Sequence, residues 1–100
     1  MNIPYISAEE VRKNLSMEDA IQCTENVYKL KSQDKTVVWP TIFYEFDPGH
    51  ADMDIKSGYL PEQHIFGHKT VAFMEANVQK GLPDLVGLIA VFSSETGMPL

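Results

Sequence analysis

The sequence predicts an α+β fold in which two N-terminal helices pack on one face of a mostly antiparallel sheet and leave the other face for a partner. Three observations predict it. Two capped helical segments open the chain, the hydrophobic period changes to two near Thr36, and from there to Leu100 short apolar runs alternate with Gly and Pro turns. A chain of 100 residues fits one domain and buries roughly two-thirds of its unfolded surface, enough for one modest core.

Ser7-Ala8-Glu9-Glu10 has the spacing of a capping box: the Ser7 hydroxyl accepts from a first-turn amide and Glu10 reaches back. A short helix through Leu15 follows. Ser16-Met17-Glu18-Asp19 starts a second helix, in which Met17, Ala20, Ile21, Thr24, Val27, Tyr28 and Lys31 recur on one stripe. Glu18 and Asp19 in its first turn and Lys29 and Lys31 in its last suit the helix dipole.

Thr36 to Phe46 is rich in β-branched and aromatic residues and reads as a strand, but Pro40 has no N–H for a ladder and predicts an edge or a bulge. Asp47-Pro48-Gly49 makes a turn, and Met53 to Leu60 returns as the second strand of a hairpin. Further strands are expected at Phe66 to Met74 and Leu85 to Phe92, with Lys80-Gly81-Leu82-Pro83 as the loop between them. Ser94-Glu95-Thr96-Gly97 reads as a hairpin turn. Only Met98-Pro99-Leu100 follow, fewer than the ~5 residues of an ordinary strand, so the chain is expected to stop inside a supersecondary unit.

Hydrophobic content of 44% with 22% charged residues is ordinary for a soluble globular protein, and no segment approaches a membrane span of ~20 apolar residues. No membrane partner is expected. MNIPYISAEE lacks the basic start and apolar run of a secretory signal, so a cytoplasmic location is the default. The single Cys23 cannot build an internal disulfide framework and reads as a small buried side chain. A formal charge of −6 repels a polyanion unless the lysines gather on one face; no basic stripe is visible, and no nucleic-acid partner is expected.

His50, Asp52, Asp54, His64 and His68 cluster in sequence, but His64 and His68 face each other only on a helix, and the strand pattern through Phe66-Gly67 argues against one. No metal is expected. There is also no Gly-x-Gly-x-x-Gly fingerprint, so these residues alone carry no recognisable dinucleotide site.

Gly58-Tyr59-Leu60-Pro61, Gly67-His68-Lys69, and Asn77 through Lys80-Gly81-Leu82-Pro83, followed by Gly87 and Glu95-Thr96-Gly97-Met98-Pro99, carry information in their order and spacing. With the helix start Leu15-Ser16-Met17-Glu18 they resemble the N-terminal part of the ornithine cyclodeaminase / mu-crystallin family over nearly all of the chain. The resemblance implies that residues 1–100 belong to the substrate-binding and dimerisation domain, with the Rossmann domain absent from this chain. It implies hydride chemistry on a small-molecule amino or imino acid, with NAD or NADP bound mainly by sequence beyond Leu100, and a homodimer whose sheets join across the interface. Trp39, Phe43, Phe46 and Val91 are candidates for that surface. Activity in the isolated chain is not expected.

Read from the residues alone, Lys69 is a lysine among Ile65, Phe66, Val71 and Phe73, most simply on the exposed face of a strand. The resemblance makes it the catalytic, substrate-binding lysine, near the substrate carboxylate and imine nitrogen. Family members also carry an arginine two residues after a proline in the first strand, where its fork holds the carboxylate. Here Ile42 stands at that place. Lys56 is then either a replacement cation for substrate binding, less directional than a guanidinium, or a surface lysine paired with Asp52 or Asp54. Asp84 occupies a position where relatives carry a small hydroxyl residue, and reads most simply as a solvated loop acid. Two other classes fit the same residues: a non-catalytic ligand-binding relative with an altered pocket, and a stand-alone interaction domain.

Overall fold

The computed structural model describes residues 1–100. Both expected capping boxes form. The Ser7 hydroxyl accepts from the Glu10 N–H and the Glu10 carboxylate accepts from the Ser7 N–H at 2.7 Å, opening α1 (Ala8–Asn14). Ser16 and Asp19 repeat the arrangement at the start of α2 (Met17–Ser32). Each box satisfies amides that a helix start leaves without an intrahelical partner.

The five strands β1 (Val37–Val38), β2 (Ile42–Asp47), β3 (Ala51–Leu60), β4 (Ile65–Met74) and β5 (Leu85–Ser93) form one antiparallel sheet in the order β1-β3-β4-β5. β2 also pairs with β3, so β1 and β2 share one edge. They are the two halves of the strand expected from Thr36 to Phe46, parted at Trp39-Pro40-Thr41, where Pro40 has no amide to give. Trp39 keeps contact through its N–H, which donates to the Ser57 carbonyl at 3.1 Å.

Three connections set the register. The β2–β3 ladder shifts between Glu45 and Asp47, a bulge at the hairpin. A 3-10 turn at Pro61–Gln63, closed by His64 in the left-handed region, joins β3 to β4. A second at Glu75–Lys80, ended by Gly81 at φ 70°, leads toward β5. Neither turn is signalled by the strand pattern, which leaves residues 61–65 and 75–84 outside the expected strands and names only 80–83 as a loop. After the turn at residues 94–97 the chain comes back along β5: the Ser93 N–H donates to the Met98 carbonyl and the Leu100 N–H to that of Val91.

β3 and β4, flanked on both sides, are largely half-buried, whereas β2 and most of β5 are exposed and no residue is fully buried. α2 approaches the sheet with Val27 and Lys31 of its C-terminal half, while Met17, Ile21 and Tyr28 of its apolar stripe stay open. Cys23 is exposed too, which corrects the expectation of a buried thiol: its helix has no covering layer at that position. No helix is long and apolar enough to cross a membrane.

Antiparallel partners share a face, so the register sorts every strand side chain. Lys56, Lys69 and Ile89 form one row, Gly58, Gly67 and Val91 the next, and Asp54, Val71 and Gly87 the row on the other side. Apart from Asp47 at the last position of β2, all charged strand residues (Glu45, Asp52, Asp54, Lys56 and Lys69) fall on this face. The opposite face carries no charged residue except Asp47 at its margin: Ile42, Tyr44, Ile55, Phe66, Leu88 and Phe92 are representative, with the Phe66 and Phe92 rings stacked at 5.1 Å.

Near the start of β3, His50 pairs with Glu75, whose N–H also donates to the His50 carbonyl at 3.0 Å, tying the β2–β3 turn to the 3-10 turn after β4. The hydrogen bond and charge of Glu75, with a further contribution from Asp47, raise the His50 pKa above the ordinary 6.5. A raised folded-state value makes this contribution fully present below 6.5 and lost as pH climbs through the folded pKa. Urea unfolding of wild type and His50→Gln should therefore show an increment of stability at pH 6 that shrinks by pH 9 in wild type and is missing in the variant. Parallel pH profiles would contradict the clamp.

A Cβ at Gly67 would lie 2.5 Å from the Ala90 carbonyl oxygen and one at Gly58 2.8 Å from that of Val37, so neighbouring backbone leaves room only for glycine. At Gly87 the nearest atoms are 3.6 Å away, an ordinary contact. Gly67→Ala should cost about 2 to 3 kcal/mol in chemical denaturation and Gly87→Ala less than about 1 kcal/mol. Equal effects would show that the close approach is not what selects glycine at position 67.

Candidate functional site

The charged face carries a groove of about 400 Å³ whose floor is the Gly58–Gly67 pair and whose margins include Lys56, Lys69, Ile89 and Val91. Two facing glycines place no side chain on either face there, which opens the hollow and exposes backbone at its base. Val27 and Lys31 of α2 also line it. Its walls are mostly apolar, with few polar groups, the usual composition of a small-molecule site.

Lys56 and Lys69 are directly opposite each other in the β3–β4 ladder, which puts their Cα atoms roughly 4.5–5.5 Å apart. Like charges at such positions destabilise a sheet. Neither ammonium has a carboxylate within ion-pair distance; lysines 13, 29 and 35 do, paired with Glu9, Glu25 and Glu62. Asp52 and Asp54 share the face with Lys56, but no ion pair joins them. One Asp54 carboxylate oxygen is shielded from water and without a hydrogen-bond partner. No carboxylate lines the groove. The site is thus a mostly apolar hollow with Lys56 and Lys69 at its margin, in a chain of net charge −6, and these cations can hold a small anion by charge-assisted hydrogen bonds.

The structure separates some residues that the sequence brings together. Ile42 pairs with Ile55, the neighbour of Lys56 in the chain, so it lies on the uncharged face, away from both lysines. The bulge before Asp47 sets that parity, and no motif in the sequence marks it. Trp39, Phe43, Phe46 and Val91 do not form one surface either: Phe43 and Val91 sit on the lysine face and Trp39 lies outside the strands. Asp84 remains in the loop, its carbonyl accepting from the Met74 N–H at 2.7 Å. The three histidines stand apart: His50 on Glu75, His64 at 3.6 Å from Glu95, and His68 on the uncharged face near Phe92. Sequence reading also misses Lys31 as a groove residue; its place in the last turn of a helix ahead of the sheet is the only signal.

Residues 1–100 do not fit a dinucleotide. Both α-helices precede the sheet, every strand pairing is antiparallel, and the left-handed glycines Gly49, Gly81 and Gly97 open no helix. A pyrophosphate needs the reverse arrangement, a strand and glycine turn leading into a helix N-terminus.

No family model matches the chain. Individual proteins do. Alanine dehydrogenase of Archaeoglobus fulgidus is 30% identical over 100% of this chain and 30% of its own length. An uncharacterised cyclodeaminase of Sinorhizobium fredii is 28% identical over 89% of the chain and 28% of its own length. Among solved structures, an archaeal alanine dehydrogenase dimer with bound NAD superposes with a TM-score of 0.82 at 31% identity, over 93% of this chain and 28% of that one. Thermococcus litoralis Δ1-pyrroline-2-carboxylate reductase, in complex with NADH and L-proline, shares the fold with a TM-score of 0.86 at 24% identity, over 95% of this chain and 29% of that one. These matches agree with the resemblance of the chain to the N-terminal part of the ornithine cyclodeaminase / mu-crystallin family. The chain spans about 30% of the length of the relatives it matches.

Proposed function

We propose that the protein containing this chain is an NAD(P)-dependent oxidoreductase or cyclodeaminase acting on an amino or imino acid, and that residues 1–100 supply its carboxylate-binding cations. One observation carries the reading: two lysines without ion-pair partners face each other beside a glycine-floored groove that has no carboxylate of its own. A substrate carboxylate there relieves the repulsion between the ammoniums and converts an unfavourable pair into a favourable three-body arrangement. The named activity of the archaeal relative supports the chemistry, since alanine carries such a carboxylate.

In this reading Lys69 is the catalytic residue, reaching the substrate carboxylate and the imine nitrogen, and Lys56 holds the carboxylate from the neighbouring strand. Ile89 and Val91 beside the groove, and Val27 of α2, supply apolar surface for the rest of the substrate. NAD or NADP belongs to the proposal for the complete protein and is assigned to residues other than these. The uncharged sheet face is the proposed homodimer surface; a large exposed apolar patch marks such interfaces.

Lys69→Ala in the complete protein should lower kcat/KM by the equivalent of about 1.5 to 3 kcal/mol while the melting temperature changes little. Lys56→Met should raise KM for a carboxylate substrate more than it lowers kcat. Steady-state kinetics beside thermal denaturation checks both. Unchanged kinetics in the two variants would remove the groove from the active site.

A further inference from the structure

His68 is the histidine that no carboxylate accompanies. His50 rests on Glu75 and His64 lies 3.6 Å from Glu95, whereas His68 has no ion-pair partner and stands on the face opposite the lysines. Its ring stacks on that of Phe92, with centroids 6.1 Å apart and planes 27° from parallel. Its Nδ1 is shielded from water and has no hydrogen-bond partner. A shielded polar atom left in this state is uncommon and calls for a physical reason.

No neighbour would neutralise a charge there. Ser57 is opposite His68 on β3 and Ala90 on β5, while Phe66 and Thr70 flank it on the same face of β4. The other titratable groups of this face are Tyr44, Tyr59 and Asp47. Tyr59 pairs with Phe66, the adjacent row on this face. Asp47 pairs with Ala51, six residues along β3 from Ser57 and so about 20 Å away. Protonation of His68 would therefore add an N–H at Nδ1 with no acceptor and put a positive charge among Phe66, Leu88 and Phe92.

In the separate chain water offsets that charge, because Val86 and Leu88 beside it are more than half exposed. Beneath a second copy it does not. A chain of net charge −6 meets its own copy most easily through the face that bears almost none of that charge. A two-fold interface brings the same patch from each side, so the partner copy offers His68 no carboxylate but the marginal Asp47. A buried charge without a partner is costly.

We propose that the homodimer closes over neutral His68 and that protonation of His68 opens it, so that the subunit interface senses mild acid. The proposal rests on the reading of the uncharged face as the homodimer surface. Its sign is fixed: the dimer is favoured at the higher pH and weakens as pH falls.

Fluorescence-detected sedimentation of the complete protein at pH 8 and pH 6 tests it. The dimer dissociation constant should rise roughly tenfold at pH 6, since two imidazoles, one per copy, must each lose a proton before the faces pair. His68→Phe, which keeps a ring on Phe92, and His68→Gln should each give the same constant at both pH values. A wild-type constant that stays the same or falls at pH 6, or a rise that persists in both variants, overturns the proposal. Failure of the underlying reading looks different: Leu88→Glu, a charge placed on the same face, then leaves the dimer intact at pH 8. If Leu88→Glu breaks the dimer and the pH effect is absent, the interface stands and the sensor falls.

Discussion

Two lysines paired directly opposite each other on adjacent strands, Lys56 and Lys69, fix which face of the sheet carries charge. Lys56 and Lys69 are placed by the uninterrupted ten-residue ladder between β3 and β4, which runs from Ala51–Met74 to Leu60–Ile65 without a bulge. Sliding either strand by one residue would move its lysine to the other face, among the aromatic side chains, where an unpaired charge is costly. Neither lysine is neutralised by a neighbour, although Asp52 and Asp54 lie on the same face. Both side chains are exposed, so their ammonium groups are open to solvent and to an anion from it.

The glycines shape the surface beside that pair. Gly58 and Gly67 are required because the backbone of β1 and β5 comes so close that a Cβ would overlap a carbonyl oxygen. The same absence of side chains hollows the surface next to the lysine pair. Close strand packing and an open binding floor are thus two results of one pair of residues. The segregation of charge completes the arrangement: the proposed ligand site lies on the lysine face and the proposed homodimer surface on the opposite one.

Much of the fold was legible because it depends on local chemistry. Both capping boxes announce their helices, Pro40 announces the break between β1 and β2, and the strands of the meander follow from period-two runs between turn residues. Strand ends differ from expectation by one or two residues, as at Ala51 and Ile65, where pairing extends beyond the apolar run. The 3-10 turns at Pro61–Gln63 and Glu75–Lys80 were not legible, because they replace loop with tight i to i+3 bonding that has no hydrophobic period. Lys69 and Lys56 could be named from the sequence, but their relation to Ile42 could not. Which face a side chain takes after a hairpin depends on a one-residue bulge, and nothing in Tyr44-Glu45-Phe46-Asp47 fixes where the ladder slips. The distance in sequence between α2 and the strands likewise hid Lys31.

The central claim is that the lysine pair over the glycine floor is an anion site. A crystal structure of the complete protein grown with a 2-amino acid tests it most directly. The account predicts the ligand carboxylate within about 3 Å of the ammonium groups of both Lys56 and Lys69, above Gly58 and Gly67. A ligand seated instead beside His50 and Glu75, or on the face opposite the lysines, with both lysines turned to solvent, would contradict it.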